Sequence, residues 1–222
     1  MQAIILAGGK GRRLRPYTNV LPKPLMPVGE MPILEVIIKQ LKFYGVDSVI
    51  ITVGHLHHMI ESFFKDGEDF GINIEYSLED EPLGTAGPLS LIVDKLDDHF
   101  LVMNGDLLTT INYRNVYDAH IENNADATLA TFERTLKIDF GLVETNDDSE
   151  LIDYKEKPLS KYKVSMGVNV FKKSSILSML KKNQYIDIPD VMLSLIGNGQ
   201  KVFCYQEDCN WLDIGRIDDY NE

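Results

Sequence analysis

Four cations fall within six residues near the N-terminus: Lys10, Arg12, Arg13 and Arg15. They belong to the run Gly8-Gly9-Lys10-Gly11-Arg12-Arg13-Leu14-Arg15-Pro16, which follows the apolar segment 2–7. Glycines after a strand let backbone N–H groups approach a phosphate closely, and arginines add bidentate, charge-assisted hydrogen bonds. A dinucleotide fingerprint would need a third glycine where Leu14 stands, and a P-loop would need Ser or Thr after Gly-Lys; both patterns fail. The run reads as a phosphate loop of another kind. Lys23 comes next, between Pro22 and Pro24, which predicts a stiff extended segment presenting one ammonium. Two aspartates complete the set: Asp106, after Gly105 at the end of an apolar run, and Asp213, in Trp211-Leu212-Asp213. Carboxylate oxygens are hard donors of the kind Mg²⁺ prefers, although either aspartate alone reads equally as an ordinary turn residue.

The basic loop is set in an acidic protein. The chain has 222 residues and a formal net charge of −12, so a polyphosphate backbone such as DNA or RNA is excluded as a general partner, and the cations mark a local anion site. With 44% hydrophobic residues the chain can bury a sizeable core in one large domain. Its two cysteines, Cys204 and Cys209, are too few for a disulfide framework and lack zinc or redox spacing. The N-terminus has no basic leader, and no apolar run reaches membrane-spanning length, so the expectation is a cytoplasmic protein. His55, His57 and His58 lie close together, but in no known metal pattern, and read as a solvated helix end.

The elements that position these residues follow from hydrophobic period. Strands are predicted over 2–7, 49–53, 72–77 and 100–104, alternating with helices over 33–44, 55–64 and 85–96. That alternation gives βαβ units and a Rossmann-like, doubly wound α/β sheet, mostly parallel and covered on both faces. Ligands in such folds sit at the carboxyl ends of the strands, where Gly8–Arg15 and Gly105-Asp106 both fall. Beyond residue 112 the rhythm changes. A helix over 112–124 precedes strands over 127–132, 141–144, 151–155 and 164–171, then helices over 174–182 and 189–197, and a strand over 201–205. We read one domain over 1–222, with one half to about residue 111 and another from about residue 112.

Taken together, the first loop and Leu21-Pro22-Lys23-Pro24-Leu25-Met26-Pro27-Val28 closely resemble the sugar-phosphate nucleotidylyltransferase family. Its signature runs Leu-Ala-Gly-Gly-x-Gly-x-Arg-Leu-x-Pro-x-Thr, then Pro-Lys-Pro-Leu-x-Pro-Val; every fixed position is met, Thr18 included. The resemblance implies the nucleotide-diphospho-sugar transferase fold, a catalytic domain over 1–222 with its nucleotide-binding half to about residue 111 and its sugar-binding half from about residue 112, and Leu6, Ala7, Gly8, Gly9 and Gly11 around the nucleotide. It implies Arg13 and Lys23 as the catalytic cations and Asp106 and Asp213 as the Mg²⁺ ligands. It also implies Glu156 and Lys157, in Glu-Lys-Pro, at the sugar and its phosphate, with Gly141 and Gly167 where backbone approaches the sugar. Ser165 and Asn169 depart from the family's usual Asn-Ala-Gly-x-Tyr pattern, so the sugar is not fixed.

The string Glu79-Asp80-Glu81-Pro82-Leu83-Gly84-Thr85-Ala86-Gly87 is similar to mannose 1-phosphate guanylyltransferases, which places Glu79, Gly84 and Thr85 at the nucleotide. Thymidylyl and uridylyl relatives usually carry Gln at the Glu79 position. Guanine presents two adjacent donors that a carboxylate accepts together, whereas uracil and thymine present a mixed edge that suits an amide. The expected reaction joins GTP to a mannose or manno-heptose 1-phosphate and releases pyrophosphate. A UTP- or dTTP-dependent glucose-type enzyme is the alternative, and a catalytically silent regulatory subunit is the reading from another class. Stopping at Glu222 fits a catalytic domain alone, as in the short heptose 1-phosphate guanylyltransferases, or a domain of a longer protein; a homo-oligomer is compatible with either.

Overall fold

The computed structural model describes residues 1–214. In chain order the regular elements are β1 (Gln2–Ala7), β2 (Pro27–Val28), β3 (Met31–Pro32), α1 (Ile33–Phe43), β4 (Ser48–Val53), α2 (His57–Phe64), β5 (Asn73–Leu78), β6 (His99–Asn104) and β7 (Leu107–Thr109). Then come α3 (Tyr113–Glu122), β8 (Ala127–Lys137), β9 (Leu142–Thr145), β10 (Leu151–Lys155), β11 (Leu159–Lys172), α4 (Lys173–Ile176), α5 (Ile188–Gly197), β12 (Val202–Tyr205) and β13 (Trp211–Asp213).

Seven strands form one sheet in the order β12-β8-β11-β6-β1-β4-β5. β1 runs parallel to β4 and β6, and β4 runs parallel to β5, while β11 runs opposite to both its neighbours. The sheet is covered on both faces, as the continuous apolar strands require. On one face Ile5, Val49, Ile51 and Met103 pack with Ile37, Ile38 and Leu41 of α1 and Ile60 of α2. On the other, Ile4, Ile50, Phe100 and Val102 pack with Leu89, Ile92 and, from α5, Val191 and Leu195. Both predicted halves share this sheet, with β11 inserted between β8 and β6.

The structure corrects several element expectations. The segment 85–96 is not an α-helix but two 3₁₀ turns, Gly87–Leu91 and Val93–Lys95. Its amides close i−3 bonds, Leu89 N to Ala86 O at 3.1 Å, Ile92 N to Leu89 O at 3.2 Å and Lys95 N to Ile92 O at 2.8 Å, while the amides of Ala86 and Gly87 at its start donate to Ile186 O, both at 3.0 Å. The segment 174–182 is likewise cut down, to the four residues of α4 and a 3₁₀ turn at Leu177–Met179. α2 begins at His57, after Leu56 in the left-handed region at φ 59°, and His57 bonds Glu61 through Nδ1 at 3.1 Å. β8 and β11 reach well beyond their predicted spans, pairing out to Lys137 and Leu159 in an exposed arm that also carries the β9–β10 pair. Exposed on both sides, the extensions of β8 and β11 have no buried face by which sequence could reveal them, whereas β9 and β10 fall close to the strands predicted over 141–144 and 151–155. The short β7–β13 ladder was not predicted.

Under the sheet edge lies a buried histidine. His120 is fully buried on α3; its Nε2 meets His99 Nδ1 at 2.9 Å, and its Nδ1 meets Thr128 Oγ1 at 2.9 Å. Burial, and then the neighbouring His99, push its pKa down from 6.5 to about 4. Below pH 6.5 the unfolded chain takes up a proton that folded His120 refuses, so stability is complete above that pH and falls until about pH 4. Urea titrations across this window should show the wild type losing on the order of 2 kcal/mol through this group, with the loss shrinking in His120→Gln.

Candidate active site

β1 and β6 are neighbours and parallel, so their carboxyl ends lie side by side, and Gly105 N donates to Leu6 O at 2.9 Å. A cleft opens there, lined by Leu6, Ala7, Gly9, Gly11, Arg12, Arg13, Leu14, Lys23, Pro24, Gly105 and Asp106. Residues about a hundred positions apart thus meet at a topological switch point, as the sheet rule requires.

The loop after β1 is folded tightly. Leu14 N donates to Gly11 O at 2.9 Å, closing a 3₁₀ turn at Arg12–Leu14 that buries Leu14 and turns the arginines outward. Gly11 sits at φ 58°, and Thr18 Oγ1 donates to its carbonyl at 2.8 Å. A Cβ there would stand 2.8 Å from Thr18 Cγ2. Lys23 is not in an extended segment as predicted. It opens a further 3₁₀ turn, Lys23–Leu25, in which Leu25 N bonds Pro22 O at 2.9 Å and Met26 N bonds Lys23 O at 3.0 Å. Pro24 within the turn supplies the fixed φ such a turn needs.

That turn buries Lys23, leaving it 8% exposed, and places Nζ against Asp106 Oδ2. The other oxygen, Asp106 Oδ1, is buried and has no hydrogen-bond partner among the described residues. A carboxylate oxygen of this kind is costly unless something polar or cationic completes it. Asp213 is brought alongside by the β7–β13 ladder: it pairs with Leu107, and Ile214 N donates to Asp106 O at 3.1 Å. Trp211, two residues earlier, donates from Nε1 to Met166 O at 3.1 Å and stacks near Phe132. This anchors the Gly167 bulge of β11, where a Cβ would lie 2.7 Å from Asn104 Nδ2.

Glu79 lies at the other side of the loop. Its carboxylate rests over Gly8, where a Cβ would come 2.3 Å from Oε1, and Oε2 accepts from Leu83 N at 3.2 Å. Burial raises its pKa, an effect the Leu83 bond only partly offsets. Gly84 and Thr85 follow in the same turn, which is tied to the segment before α5. Glu156, Lys157 and Gly141 are on the exposed arm. Tyr154 joins them, donating to Glu156 Oε2 at 2.9 Å and filling the space where a Gly141 side chain would be. They thus form a group of their own on the arm, not part of the cleft lining.

The sequence matches the family model described as nucleotidyl transferase over residues 2–222. The chain belongs to that family. It is 32% identical over 239 aligned positions to a UTP–glucose-1-phosphate uridylyltransferase of Synechocystis, and 35% identical to a D-glycero-alpha-D-manno-heptose 1-phosphate guanylyltransferase of Aneurinibacillus thermoaerophilus. It is 30% identical to a mannose-1-phosphate guanylyltransferase of Mycobacterium tuberculosis. The alignments cover 99–100% of this chain, but 61% of the uridylyltransferase, 96% of the heptose relative and 62% of the mannose relative. Among solved structures, a Bacillus anthracis protein provisionally assigned as a glucose-1-phosphate thymidylyltransferase superposes with a TM-score of 0.79 at 25% identity, covering 100% of this chain and 92% of its own. HddC of Yersinia pseudotuberculosis, solved with GMP-PN, superposes at 0.76 and 20% identity, covering 99% and 96%, and shares the fold. The nucleotide-diphospho-sugar transferase fold expected from the loop motifs is therefore the observed one.

Sequence reasoning missed Asn104, Tyr154 and Asp187, each of which touches a predicted site residue. Only Asp187 left a signal, the capping pattern Asp187-Ile188-Pro189-Asp190 ahead of α5. Replacing Gly11 with alanine adds left-handed strain to the Thr18 contact, and a thermal melt should show a loss of about 1–3 kcal/mol.

Proposed function

We propose that the chain transfers a guanylyl group from GTP to a manno-configured sugar 1-phosphate and releases pyrophosphate. The observation that carries the reaction class is the buried Lys23 ammonium against Asp106 at the floor of a glycine- and arginine-lined cleft. The family membership and the named activities of the relatives support it. Lys10, Arg12, Arg13 and Arg15 form no ion pair with any described carboxylate, so they are available to an incoming polyanion.

The amides of the Gly8–Gly11 loop would line the triphosphate, with Arg13 and Lys23 placed to neutralise charge as the α-phosphorus is attacked. The attacking phosphate oxygen is already anionic near neutral pH, its second pKa lying near 6, so no general base is required of the protein. What the residues contribute is positioning and charge stabilisation in a partly buried site. A divalent cation such as Mg²⁺, when bound, supplies further neutralisation of the triphosphate. Asp106 and Asp213 would hold it, and the unpartnered Asp106 Oδ1 beside the β13 end fits that role. Glu156 and Lys157 on the arm would meet the sugar and its phosphate, with Gly141 and Gly167 giving room for its approach.

For the base, the Glu79 carboxylate beside Gly8 suits the two donors of guanine. A UTP or dTTP reading with a glucose-type sugar is favoured by the 32% identity to a uridylyltransferase and by the likeness to the Bacillus anthracis structure. Pyrophosphate release measured with four nucleoside triphosphates and mannose, manno-heptose, glucose and N-acetylglucosamine 1-phosphates separates them. GTP with a manno sugar should turn over fastest, and Asp106→Asn should lose about a hundredfold or more in kcat. Preference for UTP or dTTP would overturn the guanine assignment and leave the reaction class standing.

Glu79→Gln should erode the GTP preference by about tenfold to a hundredfold in kcat/KM. Because burial raises the Glu79 pKa, KM for GTP should also climb as pH falls, beginning at a higher pH than for an ordinary glutamate, and this climb should vanish in the Gln variant.

A further inference from the structure

The turn that carries Gly84 and Thr85 is held from outside. Asp187, the N-cap of α5, accepts at Oδ1 from Thr85 N at 2.8 Å and from Thr85 Oγ1 at 3.0 Å, across 102 positions of sequence. Thr85 Oγ1 accepts in turn from Ile188 N at 2.8 Å. Tyr185 donates to Asp187 Oδ2 at 2.8 Å, and Asp190 accepts from the Asp187 amide at 3.2 Å, so the carboxylate is itself held in place. The backbones are fastened as well: Ile186 O accepts from Ala86 N and Gly87 N, and Ile186 N donates to Leu83 O, each at 3.0 Å. The two strands of chain run so close that a Cβ on Gly84 would stand 2.6 Å from Ile186 O, and one on Gly87 would stand 2.8 Å from Gln184 O.

The other end of the same turn reaches Glu79, whose Oε2 accepts from Leu83 N at 3.2 Å. Glu79 N is in turn fixed to Val53 O at the end of β4 at 2.9 Å. The turn is thus pinned at one end by the sheet and at the other by Asp187. These bonds favour the ionised form; burial works against it, but the bonds from Thr85 and Tyr185 prevail and leave the Asp187 pKa below its ordinary value. Hydrogen bonds to a charged acceptor are the stronger class, and here one carboxylate fixes both the amide and the hydroxyl of one residue.

We propose that Asp187 is a positioning residue for nucleotide selection: its carboxylate latches the Leu83–Gly87 turn and, through Leu83, sets where the Glu79 carboxylate stands against the base. The inference rests on the reading of this cleft as a nucleoside triphosphate site. It does not depend on which base is preferred, because the latch acts on the turn rather than on the edge of the base.

Asp187→Ser keeps a good helix N-cap while removing the carboxylate that reaches Thr85, so it separates the latch from the start of α5. Asp187→Asn keeps both an N-cap and the Oδ1 acceptor. With the full chain, initial rates of pyrophosphate release are measured against each substrate in turn, and Mg²⁺-GTP binding is measured by calorimetry. In the serine variant KM for the preferred triphosphate should rise about tenfold or more, with kcat and KM for the sugar phosphate held within about threefold. The asparagine variant should recover to within about threefold of wild type. Discrimination between the preferred triphosphate and the others should narrow in the serine variant and return in the asparagine one. An unchanged triphosphate KM in Asp187→Ser, or equal rises for both substrates, would overturn the latch while leaving the reaction in place. A wild-type chain that neither binds nor turns over any of the four triphosphates would overturn the reading of the cleft, and the latch with it.

Discussion

The contact between Lys23 and Asp106 is the constraint on which the rest of the site depends. It joins a turn from the N-terminal loop to the end of the central strand β6, in a place where neither charge is fully solvated. A buried ion pair of this kind repays its desolvation only with good geometry and further partners, and breaking it from one side leaves an uncompensated charge. Here the geometry comes from two sources. The parallel pairing of β1 and β6 fixes the two strand ends, and the 3₁₀ turn at Lys23–Leu25, closed by its own backbone bonds, aims the lysine. The remaining carboxylate oxygen has no partner among the described residues, so the pair is balanced toward accepting another positive group at the same spot.

Around that pair the fold arranges its supports in order of distance. The β7–β13 ladder fastens Asp213 next to Asp106 and, through Trp211, ties down the β11 bulge at Gly167. The Glu79 turn is bounded by the end of β4 on one side and the start of α5 on the other. Nearly all of these supports are backbone groups or short side chains, which lose little entropy on ordering and suit a site that works by position. The arm bearing Glu156 and Lys157 differs. It is exposed, and there Tyr154 bonds Glu156 and packs over Gly141, away from the cleft lining.

The central fold was legible because its parallel strands are continuous apolar runs and its phosphate loop is dense in glycine and arginine. The pairing of Lys23 with Asp106 was not. Two prolines suggested an extended segment, and the turn they in fact form depends on the Pro22 carbonyl finding the Leu25 amide. The segment 85–96 misled for a related reason: its helical spacing is real, but its amides close i−3 bonds, and its start is fastened to Ile186 O. Long-range captures of this kind have no periodicity, and Asp187, which latches the same turn, left only a local capping pattern. The β7–β13 ladder is three residues per strand, too short to show alternation.

The central claim is that the Lys23–Asp106 pair marks a site for a nucleoside triphosphate carried with a divalent cation. Calorimetric titration of GTP, with and without Mg²⁺, into the wild-type chain and into Asp106→Asn tests it most directly. The account predicts that Mg²⁺ strengthens GTP binding to the wild type by about tenfold or more and that the asparagine variant loses most of this gain while keeping its fold. The same gain in both proteins would contradict it, because the cation would then be held without Asp106.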